Sequence, residues 1–247
     1  MRIAAVLLAA RVAAAALPLP TAPQLRWQTG SGIMALIHFN MATFFQDGDP
    51  GCTSSNWLGE NGSGNPNSFA PSALNVSQWV DSMVAIGVDE AVLTAKHGCG
   101  FYLWPTKVRL PDGSPYAYHV NETSYGDVLE QFRDATSARN IGHGFYYSLT
   151  NNRYLNVYGH SVQPGPLQPG QVNVTQQEFE DIAFDSVSEL WQNYGALTEI
   201  WVRPAGRSAF HPALAALPAS PNPSLELSPL CPSDSSTAAT RQTWRRA

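Results

Sequence analysis

Residues 89–105 read DEAVLTAKHGCGFYLWP. An apolar strand through Ala91, Val92 and Leu93 runs into Thr94, Ala95 and Lys96 and stops at His97, Gly98, Cys99 and Gly100. A buried strand that ends in a glycine-flexed polar turn carrying an imidazole is the arrangement by which α/β folds present chemistry at strand ends.

Working outward, Gly32–Phe39 (GIMALIHF) is a second apolar run, also closing on a histidine, His38. Between the two, residues 75–86 have helical period. Trp79, Val80, Met83 and Val84 give an apolar face, Asn75 or Ser77 caps it and Gly87 ends it. C-terminal to the opening stretch, residues 125–139 form a helix on Val128, Leu129, Phe132 and Ala135. Residues 141–149 form a strand, and residues 175–194 a helix whose Thr175 and Glu178 fit a capping box. Residues 196–202 form the last strand. Strands alternating with helices imply a parallel sheet. Four units make half of an eight-unit barrel, or a small doubly wound sheet. No Gly-x-Gly-x-x-Gly follows the first strand, which removes the dinucleotide-binding version of the latter. The expected fold is α/β: an incomplete (β/α)8 TIM-like barrel of about the first four βα units. Two long loops, 47–71 and 151–170, have the length of binding loops.

The ends differ from this core. Arg2 followed by an Ala/Leu/Val run and then small residues and prolines reads as a secretory signal over residues 1–22; a short apolar helix or an anchor is the alternative. The run is short for a membrane span and carries Arg11. Sequons at Asn61, Asn75, Asn121 and Asn173 agree with secretion. Cys52, Cys99 and Cys231 are the only cysteines. An oxidising compartment permits a Cys52–Cys99 disulfide, and two buried thiols are the alternative. Residues 203–247 are rich in Pro, Ala and Ser and lack an amphipathic period. They read as a disordered tail, or as a segment foreign to the fold from a truncated or shifted reading frame. The net charge of −5 and the absence of a basic stripe exclude nucleic acid as a partner.

Strand parity groups the site candidates. Met34, Leu36 and His38 share a face, as do Leu93, Ala95 and His97, Phe145 and Tyr147, and Glu199, Trp201 and Arg203. If these faces point into a barrel, His38, His97, Tyr147 and position 203 converge on one mouth. Imidazole and phenol groups offer directional hydrogen bonds to sugar hydroxyls, and Trp57, Phe101 and Trp104 can pack on the apolar face of a pyranose. No further ligand stands at metal spacing with the two histidines, so neither a metal nor another cofactor is expected. No Gly-x-Ser-x-Gly occurs, which argues against a serine hydrolase.

At these residues the chain resembles the α-L-fucosidases of glycoside hydrolase family 29. The family's F-x-H-[FW]-[GN] is similar to Leu36-Ile37-His38-Phe39-Asn40. Its F-[ND]-P segment looks like Phe69-Ala70-Pro71, continuing through Leu74-Asn75 to Trp79-Val80. Its L-T-x-K-H-H-D-G-F-x-L-W resembles Leu93 to Trp104, its G-x-Y-Y-S Gly144 to Ser148, and its E-[IVL]-W Glu199-Ile200-Trp201. The resemblance implies a retaining exo-glycosidase on a barrel, occupying residues 27–202, secreted or lysosomal, that releases terminal α-L-fucose from fucosylated glycans. It implies sugar contacts from His38, His97, Tyr147 and Trp57. The chain also departs from the pattern. Gly98 and Cys99 stand for His and Asp, Asn56 for the Glu before Trp57, and Arg203 for the Asp nucleophile. The half of the barrel that holds the acid/base has no counterpart. No fucoside hydrolysis is therefore expected from the chain as written. A non-catalytic glycan-binding fragment and a barrel glycosidase of other sugar specificity are the competing readings.

Overall fold

The computed structural model describes residues 32–45, 48, 52 and 64–203, with positions 22, 25, 29 and 30 and the pairs 225–226 and 245–246. The signal segment up to residue 21, Trp57, the Asn61 sequon and almost all of the tail lie outside the described residues.

Four strands form one parallel sheet: β1 (Ile33–Ile37), β2 (Val88–Lys96), β3 (Gly142–Ser148) and β6 (Glu199–Arg203), hydrogen-bonded in the order β1-β2-β3-β6. The helices α1 (Val76–Ala85), α2 (Val128–Ser137) and α3 (Gln176–Asn193) make the crossovers. A small antiparallel hairpin, β4 (Val157–Tyr158) with β5 (Ser161–Val162), sits in the β3–α3 connection. Leu225–Glu226 (β7) and Arg245–Arg246 (β8) pair antiparallel.

The helix starts follow local chemistry. The Asn75 side chain accepts the Gln78 N–H at 3.0 Å, so Asn75 rather than Ser77 caps α1. Asp127 accepts the Glu130 N–H at 2.9 Å. It starts α2 three residues later than apolar spacing suggests, because Gly126, at φ +66°, turns the chain first. Thr175 and Glu178 form the reciprocal box at the head of α3.

Register sorts the strand residues onto two faces. Met34 pairs with Glu90 and Leu36 with Val92; Val92 pairs with Gly144 and Thr94 with Tyr146; Gly144 pairs with Glu199 and Tyr146 with Trp201. All of these stand on one face. The other face carries Ala91, Leu93, Ala95, Phe145, Tyr147, Ile200 and Val202, which join Val80, Leu129, Phe132, Ile182 and Leu190 of the helices in one core. Val92 and Tyr146 are buried but stand outside that core cluster. Gly144 allows the close pairing of β3 with β6: a Cβ there would run into the Glu199 carbonyl.

Candidate active site

The ladder between β2 and β3 is irregular between Thr94 and Lys96, where Tyr147 comes to face Lys96 instead of Ala95. A bulge re-aims the residues after it. Lys96 is turned into the interior under Tyr147, and His97 emerges on the face of Tyr146. At the C-terminal strand ends three rings then converge. The His38 and His97 centroids are 5.6 Å apart, His97 and Tyr146 5.4 Å, and His38 and Tyr146 6.0 Å. Trp201 extends the group, its ring 5.5 Å from that of Tyr146. His38 is exposed and His97 half-buried, so the cluster opens to solvent.

Tyr147 does not belong to it. Its side chain is fully buried on the helix-facing side, its hydroxyl 3.0 Å from that of Tyr102, which is itself 2.9 Å from Ser186 on α3. Burial pushes the Tyr147 phenol up to about 12. Phe101 and Trp104 are also absent from the mouth. After Gly100, at φ +88°, the chain doubles back along β2, with Tyr102 bridging Lys96 and the Leu103 N–H donating to the Ala95 carbonyl. Trp104 stacks on Tyr102 at 4.2 Å and donates its indole N–H to Glu189 at 2.8 Å. Trp57 lies outside the described residues. Arg203 closes β6 opposite Ser148.

The surroundings fix the mouth. Asn40 Nδ2 donates to the carbonyls of Thr94 and Ala95, tying the end of β1 to that of β2. The Gly98 N–H donates to His97 Nδ1 at 2.8 Å, so the neutral ring carries its proton on Nε2 and presents a donor. Cys99 is disulfide-bonded to Cys52, which anchors the turn after His97. Lys96 is wholly buried; its Nζ donates to the Ser148 and Asn151 carbonyls and lies 5.2 Å from the Tyr147 ring centre. Burial holds its ammonium well below the usual lysine range. Two imidazoles and a phenol, at strand ends and flanked by an indole, form a hydrogen-bonding set suited to a polyol with one apolar face. Among the described residues, no group of three His, Cys, Asp or Glu side chains could hold a metal ion.

The sequence profile of the α-L-fucosidases matches residues 55–211. The chain belongs to the α-L-fucosidase family.

Relatives of this family match it in sequence and fold. Alpha-L-fucosidase 1 of Arabidopsis thaliana is 33% identical over 190 residues, a match covering 75% of this chain and 31% of that protein. The plasma α-L-fucosidase of Homo sapiens is 34% identical over 85 residues, covering 33% of this chain and 16% of that one. A glycoside hydrolase family 29 member from an unknown rumen bacterium superposes with a TM-score of 0.54 at 26% identity, over 78% of this chain and 29% of that one. A variant of the α-L-fucosidase AlfC, in complex with 4-nitrophenyl α-L-fucopyranoside, shares the fold. Its TM-score is 0.58 at 17% identity, over 76% of this chain and 63% of that one. The chain thus spans about a third of the length of the plant α-L-fucosidase.

The placements of Tyr146 and Lys96 escape reasoning from the parity of a single strand. The face of Tyr146 follows from its pairing with Thr94, and the placement of Lys96 from the register shift after it; each is a property of two strands and not of either alone.

Proposed function

We propose that this chain is the first half of an α-L-fucosidase barrel and binds terminal α-L-fucose at the His38–His97–Tyr146 mouth. The convergence of those three rings in a chain of this family is the observation that carries the reading. Support for the barrel comes from the strand order. It advances β1-β2-β3-β6 without reversing, whereas a doubly wound sheet reverses at a switch point. Right-handed crossovers then place every helix on one side. In this reading His97 Nε2–H donates to a sugar hydroxyl, His38 and Tyr146 complete the contacts, and Trp201 lines the wall.

Binding without turnover is the expected behaviour. A retaining glycosidase needs a carboxylate to attack the anomeric carbon. The resemblance puts that group at residue 203, where a guanidinium cannot act as nucleophile. An oxidising, secreted or lysosomal setting fits the Cys52–Cys99 disulfide and the exposed sequon residues Asn75, Asn121 and Asn173.

Calorimetric titration with L-fucose tests the reading, with 4-nitrophenyl α-L-fucoside hydrolysis followed in parallel. Binding heat that disappears in His97→Ala, with no release of nitrophenolate, is the expected result. Absence of heat with the folded wild-type chain overturns the binding site. Turnover that depends on His97 overturns the assignment of residue 203.

A further inference from the structure

Lys96 and His97 are chain neighbours pointing to opposite faces, and a closed ring of hydrogen bonds joins them through the loop after β3. Lys96 Nζ donates to the Asn151 carbonyl at 2.5 Å. Two residues on, the Arg153 N–H donates to the Gly98 carbonyl at 2.8 Å. The Gly98 N–H in turn donates to His97 Nδ1 at 2.8 Å. The covalent chain from His97 back to Lys96 closes the ring. A second link from Lys96 to the Ser148 carbonyl, at 2.5 Å, anchors the same loop at the end of β3. Tyr154 N–H to the Cys99 carbonyl, at 3.3 Å, lies parallel to the Arg153 bond. The buried Lys96 amine needs such acceptors, and the buried carbonyls equally need its N–H donors.

We propose that Lys96 is a positioning residue for His97, holding the loop after β3 so that the Gly98 amide fixes the His97 ring as its Nε2–H tautomer. A ring locked this way offers the mouth a donor of known direction; a ring free to flip offers a mixture of donor and acceptor. Lys96 touches no substrate and acts only through the loop and the Gly98 peptide. The fucose arm of the test rests on the binding site proposed above, but the tautomer arm does not.

The experiment uses the full chain labelled with 15N, at about pH 8, where an ordinary imidazole is neutral. Long-range 1H–15N spectra report which His97 nitrogen is protonated, and L-fucose titration reports affinity. Lys96→Met keeps the side-chain length and removes the donors. Arg153→Pro removes the one amide proton that reaches Gly98. Proline is compatible there because residue 153 opens a short 3-10 helix and Asn152 is extended, at φ −145° and ψ 93°. Arg153→Ala keeps the amide and controls for the lost guanidinium.

Wild type and Arg153→Ala are expected to show protonated Nε2. Lys96→Met and Arg153→Pro are expected to show a tautomer mixture and an affinity lower by about fivefold, one hydrogen bond's worth. If Lys96→Met does not fold, Arg153→Pro cuts the same ring with the Lys96 side chain in place and decides the outcome. Folded variants that keep Nε2–H and wild-type affinity overturn the proposal, leaving Lys96 a purely structural residue. A tautomer change in a protein that binds no fucose upholds it while refuting the binding site.

Discussion

The imidazole of His97 and the phenol ring of Tyr146 lie 5.4 Å apart, although alternation along an unbroken β2 would put them on opposite faces of the sheet. Thr94 pairs with Tyr146, so regular alternation sends residue 97 to the side of Tyr147 and the helices. The irregularity between Thr94 and Lys96 absorbs one residue and inverts that assignment. One bulge therefore buries Lys96 and brings His97 into the mouth.

The two adjacent tyrosines are thereby assigned different work, and substitution separates them. Tyr146→Phe removes a hydroxyl from the mouth and is expected to weaken L-fucose binding about fivefold, with stability within about 0.5 kcal/mol of wild type. Tyr147→Phe breaks the buried link to Tyr102 and is expected to lower stability by about 1 kcal/mol, with fucose affinity unchanged. Calorimetry and urea denaturation on both variants check this. The opposite pattern would restore Tyr147 to the mouth.

Gly144 and Gly113 are expected to differ sharply in their tolerance of alanine. A methyl at 144 meets the Glu199 carbonyl of the neighbouring strand β6, which cannot move away without breaking its ladder to β3, and the expected loss is about 3 kcal/mol. Nothing lies within 4 Å of a Cβ at 113, and its φ of +83° alone penalises alanine, by about 1 kcal/mol. Denaturation midpoints of the two variants measure the difference. Equal losses would show that β3 and β6 do not approach as closely as described.

These contrasts mark what the sequence carries. The order of elements is legible from hydrophobic periodicity, and the Thr175–Glu178 box and the start of α1, at Asn75 or Ser77, because each depends on residues within one turn of one another. His38 and His97 are legible as strand ends. The face each strand residue occupies is not, because it follows from register against a neighbour some fifty residues away along the chain. Placing Trp104 against a sugar fails for a similar reason. Its direction is set by the reversal at Gly100 and by Glu189, on a helix 85 residues further on. The recurrence of glycine at 98 and 100 signals a turn but not where it leads.

The Cys52–Cys99 disulfide joins residues 47 apart in sequence and anchors the turn that follows His97. By the entropy of closing that loop, reduction is expected to lower stability by about 4 kcal/mol. Both sulfurs belong to buried residues, so mild reductant is expected to act only as the chain opens. Thiol counting under denaturing conditions, before and after reduction, with unfolding curves on each form, checks the bond and its worth. Three reactive thiols in the unreduced chain would refute it.

Lys96 also sets how stability changes with pH. Burial depresses its folded-state pKa well below the value near 10.4 of an unfolded lysine. Between those two values the unfolded chain binds the proton and the folded chain does not, so stability rises with pH across that window. The buried tyrosines act in the opposite sense. The Tyr147 phenol, raised to about 12, stays protonated in the fold while unfolded tyrosine ionises near 10, so its contribution is lost above about pH 10. Lys96 thus contributes a limb that rises with pH up to its unfolded pKa, and the buried tyrosines a fall above about pH 10. In Lys96→Met that limb should flatten while the fall above pH 10 persists. Urea midpoints measured from pH 7 to 11 on both chains decide the matter, and a rise of equal slope in the variant would show that Lys96 keeps its proton in the fold.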